Sequence, residues 1–312
     1  MRTLAALLMV ALIIAPIQAS AADGSLWNDA REGVQGGTLG GLSLSLSENP
    51  TDSSASMDVI DLPAVIEVYT ATWCTSCVTT EHTLDEAIGD ADVTRIHYHR
   101  HNFEVEDPFG SNGTEERWES IYGPASTSVG GAPRLAPTTV FDGERLHLGT
   151  TSKTDSLLSD YSASLAIGPS HVYDGSISLS AIESEGVIEF SWDVTTMIYN
   201  CADDCSTETR TVWLLFVEDS ASFPDGSNGI GDYIHVLHDA VQLDGLIGST
   251  AINVPSAWDG DDMSAVLLVD WSIDSPPAEP GIFGNNIPAP SVAILVCMLA
   301  ALVPRRRSPI LH

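Results

Sequence analysis

Apolar positions along the chain change their period three times. From Ala64 to Ala166, strand-length runs alternate with helical spacing. Ala64-Val65-Ile66-Glu67-Val68-Tyr69 is a β-branched run and reads as a buried strand. Val78 to Ile88 has helical spacing, with Leu84 and Ile88 four apart. Val93 to His99 reads as a second strand. Asn102 to Pro133 carries Gly and Pro punctuation and a short helix over Thr114 to Ile121. Thr138 to Phe141 and Arg145 to Leu148 are strands joined by an Asp142-Gly143 hairpin turn. Asp155 to Ala166 closes as a helix with an acid at its N-terminus, where the dipole favours it. The order is β-α-β-(insert)-β-β-α, an α/β arrangement.

From about Pro169 to Ser275 the helical period is lost. Ser176–Ser180, Val187–Val194, Thr211–Glu218, Tyr233–Gln242, Thr250–Val254 and Ser264–Ser272 read as strands separated by turn residues, the pattern of an antiparallel sandwich. Before the α/β region, residues 22–57 are rich in Gly, Ser, Asn and Asp. Leu42, Leu44 and Leu46 alternate with serines there, enough for one short strand. The rest reads as a flexible linker.

The two ends have their own logic. Arg2, the apolar run from Leu4 to Pro16 and the small residues Ala19-Ser20-Ala21 make residues 1–21 a secretory signal. Ile287 to Val303 is apolar but for Ser291, and Arg305-Arg306-Arg307 follow it. At 17 residues it is close to the lower limit for crossing a bilayer, with the arginines on the cytoplasmic side. It resembles the C-terminal sorting tags of some bacterial and archaeal surface proteins; a plain tail anchor is the other reading. The expected organisation is signal peptide 1–21, linker 22–57, an α/β domain 58–167, a β-sandwich 168–275, linker 276–286, membrane or sorting helix 287–304 and a basic cytoplasmic tail 305–312. The body would lie outside the cytoplasm, anchored by its C-terminal segment.

Charge narrows the partners. The 312 residues hold 43 acidic and 12 basic side chains, a net charge of −31, and Lys153 is the one lysine. Four of the basic residues lie in the end segments. Such a surface repels phosphate backbones and excludes nucleic-acid binding. Its self-repulsion is relieved by salt.

The sharpest chemical signal is Trp73-Cys74-Thr75-Ser76-Cys77. Two cysteines separated by two residues, at a strand-to-helix junction, can close a small disulfide. At the helix N-terminus, free N–H groups and the dipole stabilise a Cys74 thiolate. Cys74 is then the exposed nucleophile and Cys77, one turn in and more buried, resolves the mixed disulfide. Zinc is the competing use of such a pair. It needs four ligands, commonly from a second pair. Cys201 and Cys205 have a different spacing and lie in the β region. A secretory context favours redox chemistry.

The stretch from Ile66 to Cys77, IEVYTATWCTSC, resembles the active-site strand and turn of thioredoxin-fold proteins. Ala136-Pro137-Thr138-Thr139-Val140-Phe141-Asp142-Gly143 resembles that fold's second hallmark, a cis-proline facing the cysteine pair before a strand and hairpin. The resemblance implies a thioredoxin-like domain in which Cys74 and Cys77 are catalytic, Trp73 packs beside them, and Ala136 and Pro137 position the substrate backbone. The chain departs from the family at two places. Thr75-Ser76 stands where thioredoxin has Gly-Pro. Val68 stands where thioredoxin has its buried carboxylate, and Glu67 beside it points to the other face by strand alternation. A looser resemblance spans about 200 residues. Some bacterial surface proteins have a thioredoxin-like domain followed by an immunoglobulin-like β-domain, with segments similar to Ile96-His97-Tyr98-His99, Asp107-Pro108-Phe109, Arg117 and Gly131-Ala132-Pro133.

Other features are weighed against simpler roles. His97, His99 and His101 alternate and would share one strand face, which could hold a transition metal. No carboxylate partner is evident in sequence, so no metal is assigned. Cys201 and Cys205 read as a structural disulfide stapling a loop. Cys297 reads as a small buried hydrophobe. Asn112-Gly113-Thr114 is a glycosylation sequon. The acidic clusters around Asp203, Asp259 and Glu183 read as solvated surface.

Together these features point to a membrane-anchored, extracytoplasmic thiol–disulfide oxidoreductase. It needs no cofactor beyond its cysteines. Its partners are cysteine-containing secreted proteins and a redox partner the sequence does not name. The alternative is a non-catalytic surface binding or structural module on a thioredoxin scaffold.

The charge balance yields a test. Raising sodium chloride from about 0.05 M to about 2 M shortens the Debye length to a few ångströms or less. The thermal midpoint of the full-length protein, followed by circular dichroism, should rise over that range. An unchanged midpoint would show that the acidic surface does not strain the fold.

Overall fold

The computed structural model describes residues 26–47, 53–102, 107–184, 187–200 and 207–273. The expected signal peptide, both C-terminal segments, Cys201, Cys205 and Cys297 lie outside them. Among the described residues, no helix is long and apolar enough to cross a membrane.

The molecule is mostly β-sheet with few helices. The strands are β1 (Asn28–Asp29), β2 (Gln35–Ser45), β3 (Ser53–Asp58), β4 (Ala64–Thr70), β5 (Val93–His99), β6 (Thr138–Phe141), β7 (Arg145–Leu148), β8 (Tyr173–Asp174), β9 (Ser176–Ser184), β10 (Val187–Asp193), β11 (Ile198–Tyr199), β12 (Glu208–Ser222), β13 (Asp232–Leu243), β14 (Ile247–Ile252) and β15 (Met263–Ile273). The α-helices are α1 (Thr75–Ile88), α2 (Asn112–Ile121), α3 (Gly123–Ser128) and α4 (Leu157–Ile167). Every strand and helix expected between Ala64 and Ser272 has a counterpart, with ends shifted by a few residues. The helix boundaries have local causes. Ser111 caps α2 in a reciprocal capping box with Thr114. Ser156 caps α4 by accepting from the Ser159 N–H. Gly89 ends α1 with φ +53, a conformation that favours glycine.

The expected boundary at 167/168 falls within one continuous sheet. Nine strands are ordered β1-β7-β6-β4-β5-β13-β12-β15-β2. β4 and β5 are parallel, joined through α1, whereas β6 and β7 form an antiparallel hairpin beside β4. The join to the second half is short: β5 pairs with β13 in parallel through His97 and Val236. A second sheet, ordered β14-β10-β9-β3, is antiparallel throughout. Its inner face, with Ile177, Leu179, Phe190 and Trp192, packs on Leu42 and Leu44 of β2, Leu214 and Phe216 of β12, and Leu267 and Val269 of β15. This is a sheet-on-sheet core. In the other half, Ile66 and Val68 of β4 pack with Leu84 of α1 and Tyr161 of α4. Trp118 and Tyr122, from α2 and its end, cover Tyr69, Tyr98, Trp213 and Leu215.

The segment expected to be a linker corrects the sequence reading most. β2 is an eleven-residue strand with Leu39, Leu42 and Leu44 buried, and β3 is the edge of the second sheet. The glycines that suggested a linker serve close packing. The β2–β15 register shifts between Leu267 and Leu268, and Gly40 sits there at φ +140. A Cβ on Gly40 would lie 2.4 Å from the Leu267 carbonyl. Such a bulge requires glycine.

Charges buried between the halves hold them together. Arg117 is fully buried. It donates to Glu67 Oε2 of β4 at 2.5 Å and to Asp270 Oδ2 of β15 at 3.2 Å. Tyr98 and Tyr122 also donate to Glu67, at 2.6 and 2.7 Å. Arg31 and the Thr38 hydroxyl complete the shell of Asp270, at 2.8 and 2.6 Å. Burial alone would lower the Arg117 pKa, but Asp270 and Glu67 outweigh it and push it well up. Burial alone would raise Asp270, but Arg117 and Arg31 hold it below the usual carboxylate range. Glu67 points away from the α1 face, as strand alternation requires.

Arg117→Met leaves two carboxylates buried without their shared cation, and breaking such a pair costs about 3–5 kcal/mol. Urea unfolding of the variant should show a loss of that size. A loss below about 1 kcal/mol would mean that the cluster does not hold the halves together.

Candidate functional site

The candidate site lies where β4 runs into α1. Cys74 is the N-cap of α1 in extended conformation, and the Cys77 N–H points at its Sγ at 3.2 Å. The two sulfurs form a disulfide. The helix starts here because the cap sulfur takes one of its free N–H groups. Cys74 is not the exposed residue the sequence suggested: it is 5% exposed and Cys77 is fully buried. Ala71, Trp73 and Ala136 pack around the sulfur pair. The Ala136–Pro137 bond is cis and precedes β6. The structure thus brings Cys74, Cys77, Trp73 and Ala136 into one cluster, with Pro137 next in chain. Arg100 lies over the Trp73 ring at 5.7 Å.

Behind the disulfide is a group of buried polar residues. Asp107 Oδ2 accepts from the Thr72 N–H at 2.8 Å, two residues before Cys74, and lies 3.2 Å from His99 Nδ1. This gives Asp107 a role that its sequence motif did not reveal. Glu81, on α1, accepts from the Thr70 hydroxyl at 2.6 Å, and its other oxygen is 3.9 Å from His97 Nδ1. Burial raises the Glu81 pKa, partly offset by the Thr70 hydroxyl, His99 and Arg95. Burial, with Arg95, His235 and His99, lowers the His97 pKa well below its ordinary value. Arg95 Nε donates to His97 Nε2 at 3.0 Å, which fixes His97 as an acceptor there.

Two expectations about the histidines change. Only His97 and His99 lie on β5; His101 is beyond its end, where its N–H donates to Glu115 at 2.6 Å. The two strand histidines do have carboxylate neighbours, Glu81 and Asp107, which are distant in sequence. Among the described residues, no group of three or more His, Cys, Asp or Glu is arranged to hold a metal ion.

The β-rich half reaches the site directly. The loop between β12 and β13 places the Asn228 N–H 3.0 Å from the Thr72 carbonyl and its side-chain amide 3.3 Å from the Ala71 carbonyl. The Tyr233 hydroxyl donates to Asn228 Oδ1 at 2.8 Å. Sequence reasoning missed Asn228 and Tyr233, which lie over 150 residues from the turn they hold. It also missed Glu81, although four residues after Cys77 is a legible helical spacing. The sequon asparagine, Asn112, and Asp259 of the acidic cluster are exposed, while their neighbours take local roles. The sequon threonine, Thr114, is buried in the α2 cap. Asp259 and Asp262 accept from the Ser222 and Ser220 N–H groups, each at 3.0 Å.

No protein-family model matches the chain, and no curated protein matches it in sequence. Among solved structures it is similar to protein AGR_C_4864 from Agrobacterium tumefaciens, at 14% identity and TM-score 0.38, covering 68% of this chain and 94% of that one. It is also similar to HBP35 of Porphyromonas gingivalis, at 17% identity and TM-score 0.37, covering 69% of this chain and 65% of that one.

The neutral His97 gives a pH test. Its folded pKa is depressed, so its contribution to stability is complete above about pH 6.5 and is lost as pH falls, with a slope of at most about 1.4 kcal/mol per pH unit. His97→Gln keeps an acceptor for Arg95 and cannot titrate. Urea unfolding between about pH 7 and 5 should show a shallower fall in the variant than in the parent. Equal slopes would mean that His97 takes up its proton without leaving the folded state.

Proposed function

We propose that the protein is an extracytoplasmic thiol–disulfide oxidoreductase with a thioredoxin-like unit, acting on cysteine-containing secreted proteins. One observation carries this reading: Cys74 caps α1 with the Cys77 N–H aimed at its sulfur, and Ala136 of a cis X-Pro bond packs alongside. In the reduced protein the same N–H and the helix dipole favour a Cys74 thiolate. That thiolate attacks one sulfur of a substrate disulfide. A mixed disulfide forms and the other substrate sulfur leaves as a thiolate. Cys77 then attacks Cys74, and the second substrate sulfur leaves. The substrate gains two electrons and two protons, and the Cys74–Cys77 disulfide is restored. The reverse sequence oxidises a substrate dithiol. Ala136 lines the approach to Cys74 and would pair with the substrate backbone.

The remaining parts of the proposal rest on sequence. Residues 1–21 would direct export, and the apolar segment from Ile287 with its arginines would hold the body at the outer face of a membrane. The second sheet and its partners would form the β-sandwich, built from the chain after the thioredoxin-like unit together with β2 and β3 from before it. A second reading, an inert binding module, draws on the small exposure of Cys74 and on Val68 in place of a carboxylate.

The experiment equilibrates the full-length chain in glutathione buffers and traps and weighs its thiols. A potential between about −120 and −270 mV supports thiol exchange, the less negative end marking an oxidase and the more negative a reductase. Cys77→Ser should accumulate mixed disulfides on Cys74. A pair that stays oxidised throughout, with no trapped adduct, would leave the binding module.

A further inference from the structure

Resolving a mixed disulfide requires Cys77 to lose its proton inside the protein, since Cys77 is fully buried. Val68 cannot accept it, because it belongs to the apolar core under α1. Glu67 is on the other face of β4, held by Arg117, Tyr98 and Tyr122. Asp107 is engaged by Thr72, His99 and the Phe109 N–H. Glu81 is also held, by the Thr70 hydroxyl, but it is the first carboxylate after Cys77 on the cysteine helix itself. It lies one helical turn beyond Cys77 on the same face of α1. Its side chain keeps 14% exposure. Glu81 lines a cavity of about 110 Å³ between α1 and the start of β13, together with Val78, His82, Asp85, Arg95 and Tyr233. His82 stands at the surface, with 77% of its side chain exposed, so the cavity connects Glu81 with solvent.

We propose that Glu81 is the proton-relay residue of the Cys74–Cys77 site, exchanging the Cys77 proton with solvent through this cavity. The inference rests on the oxidoreductase reading. The Glu81 carboxylate takes the proton from the Cys77 thiol. The Cys77 thiolate attacks Cys74, a Cys74–Cys77 bond forms, and the Cys74–substrate bond breaks. The electron pair leaves on the substrate sulfur, which takes a proton from water. Glu81 then releases its own proton through the cavity. In the oxidising direction the same groups run in reverse.

The surroundings suit a base for a thiol. Charged or titratable groups face Glu81 from every packed element: Asp85 on α1, Arg95, His97 and His99 on β5, Tyr233 on β13 and Tyr161 on α4. Burial keeps His97 neutral, so it does not tie Glu81 down as an ion pair. Burial also raises Glu81, which brings it closer to a thiol and makes proton exchange between them easier.

The test follows oxidation of the reduced full-length chain by glutathione disulfide between about pH 5 and 9, with quenched alkylation to separate the mixed disulfide from the final product. In E81Q the resolving step should slow by roughly tenfold or more near pH 6 and lose its inflection, meeting the parent rate where the thiol ionises unaided. Alkylation of Cys74 in a Cys77→Ser background should not change, which a general structural defect would not spare. Thr70→Val keeps the carboxylate but removes its hydroxyl donor, so the inflection should move to higher pH. That variant decides the matter if E81Q fails to fold. A parental pH profile in E81Q, or an unmoved inflection in Thr70→Val, overturns the relay. A parent chain that does not exchange with glutathione at all overturns the oxidoreductase reading instead.

Discussion

Arg117 is the fully buried cation that pairs with a carboxylate from each half of the large sheet, and the arrangement of those halves depends on it. It reaches Glu67 on a strand of the α/β half and Asp270 on a strand of the β-rich half. Strand pairing between the halves is limited to the short β5–β13 join, with single backbone bonds from Thr38 to Asp142 and from Asn228 to Thr72 beside it. Apolar packing of Trp118, Trp213 and their neighbours fills the same space but is tolerant of sliding. A buried charge is not, because displacement leaves it unpaired in a low-dielectric interior. We read the cluster as the device that sets how one half lies on the other.

The same logic runs through the protein's other cations. Arg31, Arg95, Arg117, Arg134, Arg145 and Arg210 each pair with a carboxylate, and none of their side chains is more than 15% exposed. These six arginines point inward, whereas Lys153 and most of the described carboxylates are exposed. The outer charge is therefore more one-sided than the composition alone conveys. Interior pairing and exterior repulsion act in opposite directions on stability, and only the exterior part is strongly screened by salt.

At the cysteine pair, elements from both halves converge on a few atoms of backbone. Asp107 holds the Thr72 N–H, while Asn228 and Tyr233 engage the carbonyls of the same turn. The turn before Cys74 is thereby fixed from two sides. The β-rich half is thus part of the wall of the site as well as a neighbour of it. Glu81 belongs to this frame through Thr70, whose hydroxyl ties α1 to the end of β4.

Much of this was legible along the chain, for reasons that are local. The β-branched run of β4, the spacing of α1, the Asp142-Gly143 turn and the alternating strands after Ser176 follow from period and propensity within a few residues. So does the position of Cys74 at a helix start, because capping is a one-turn affair. The alternating leucines marked a strand at the end of segment 35–45, but its length was underestimated because glycine has two uses, and composition cannot tell a linker from a strand that must lie against another backbone. What the tertiary structure alone decided is everything that needs distant residues to meet. It merged two expected domains into one sheet through His97 and Val236, gave the strand histidines carboxylate neighbours, and brought Asn228 to the cysteine turn. It also assembled Arg117, Glu67 and Asp270 into one buried group. Burial and pairing across 150 residues are properties of the folded packing, and no local pattern encodes them.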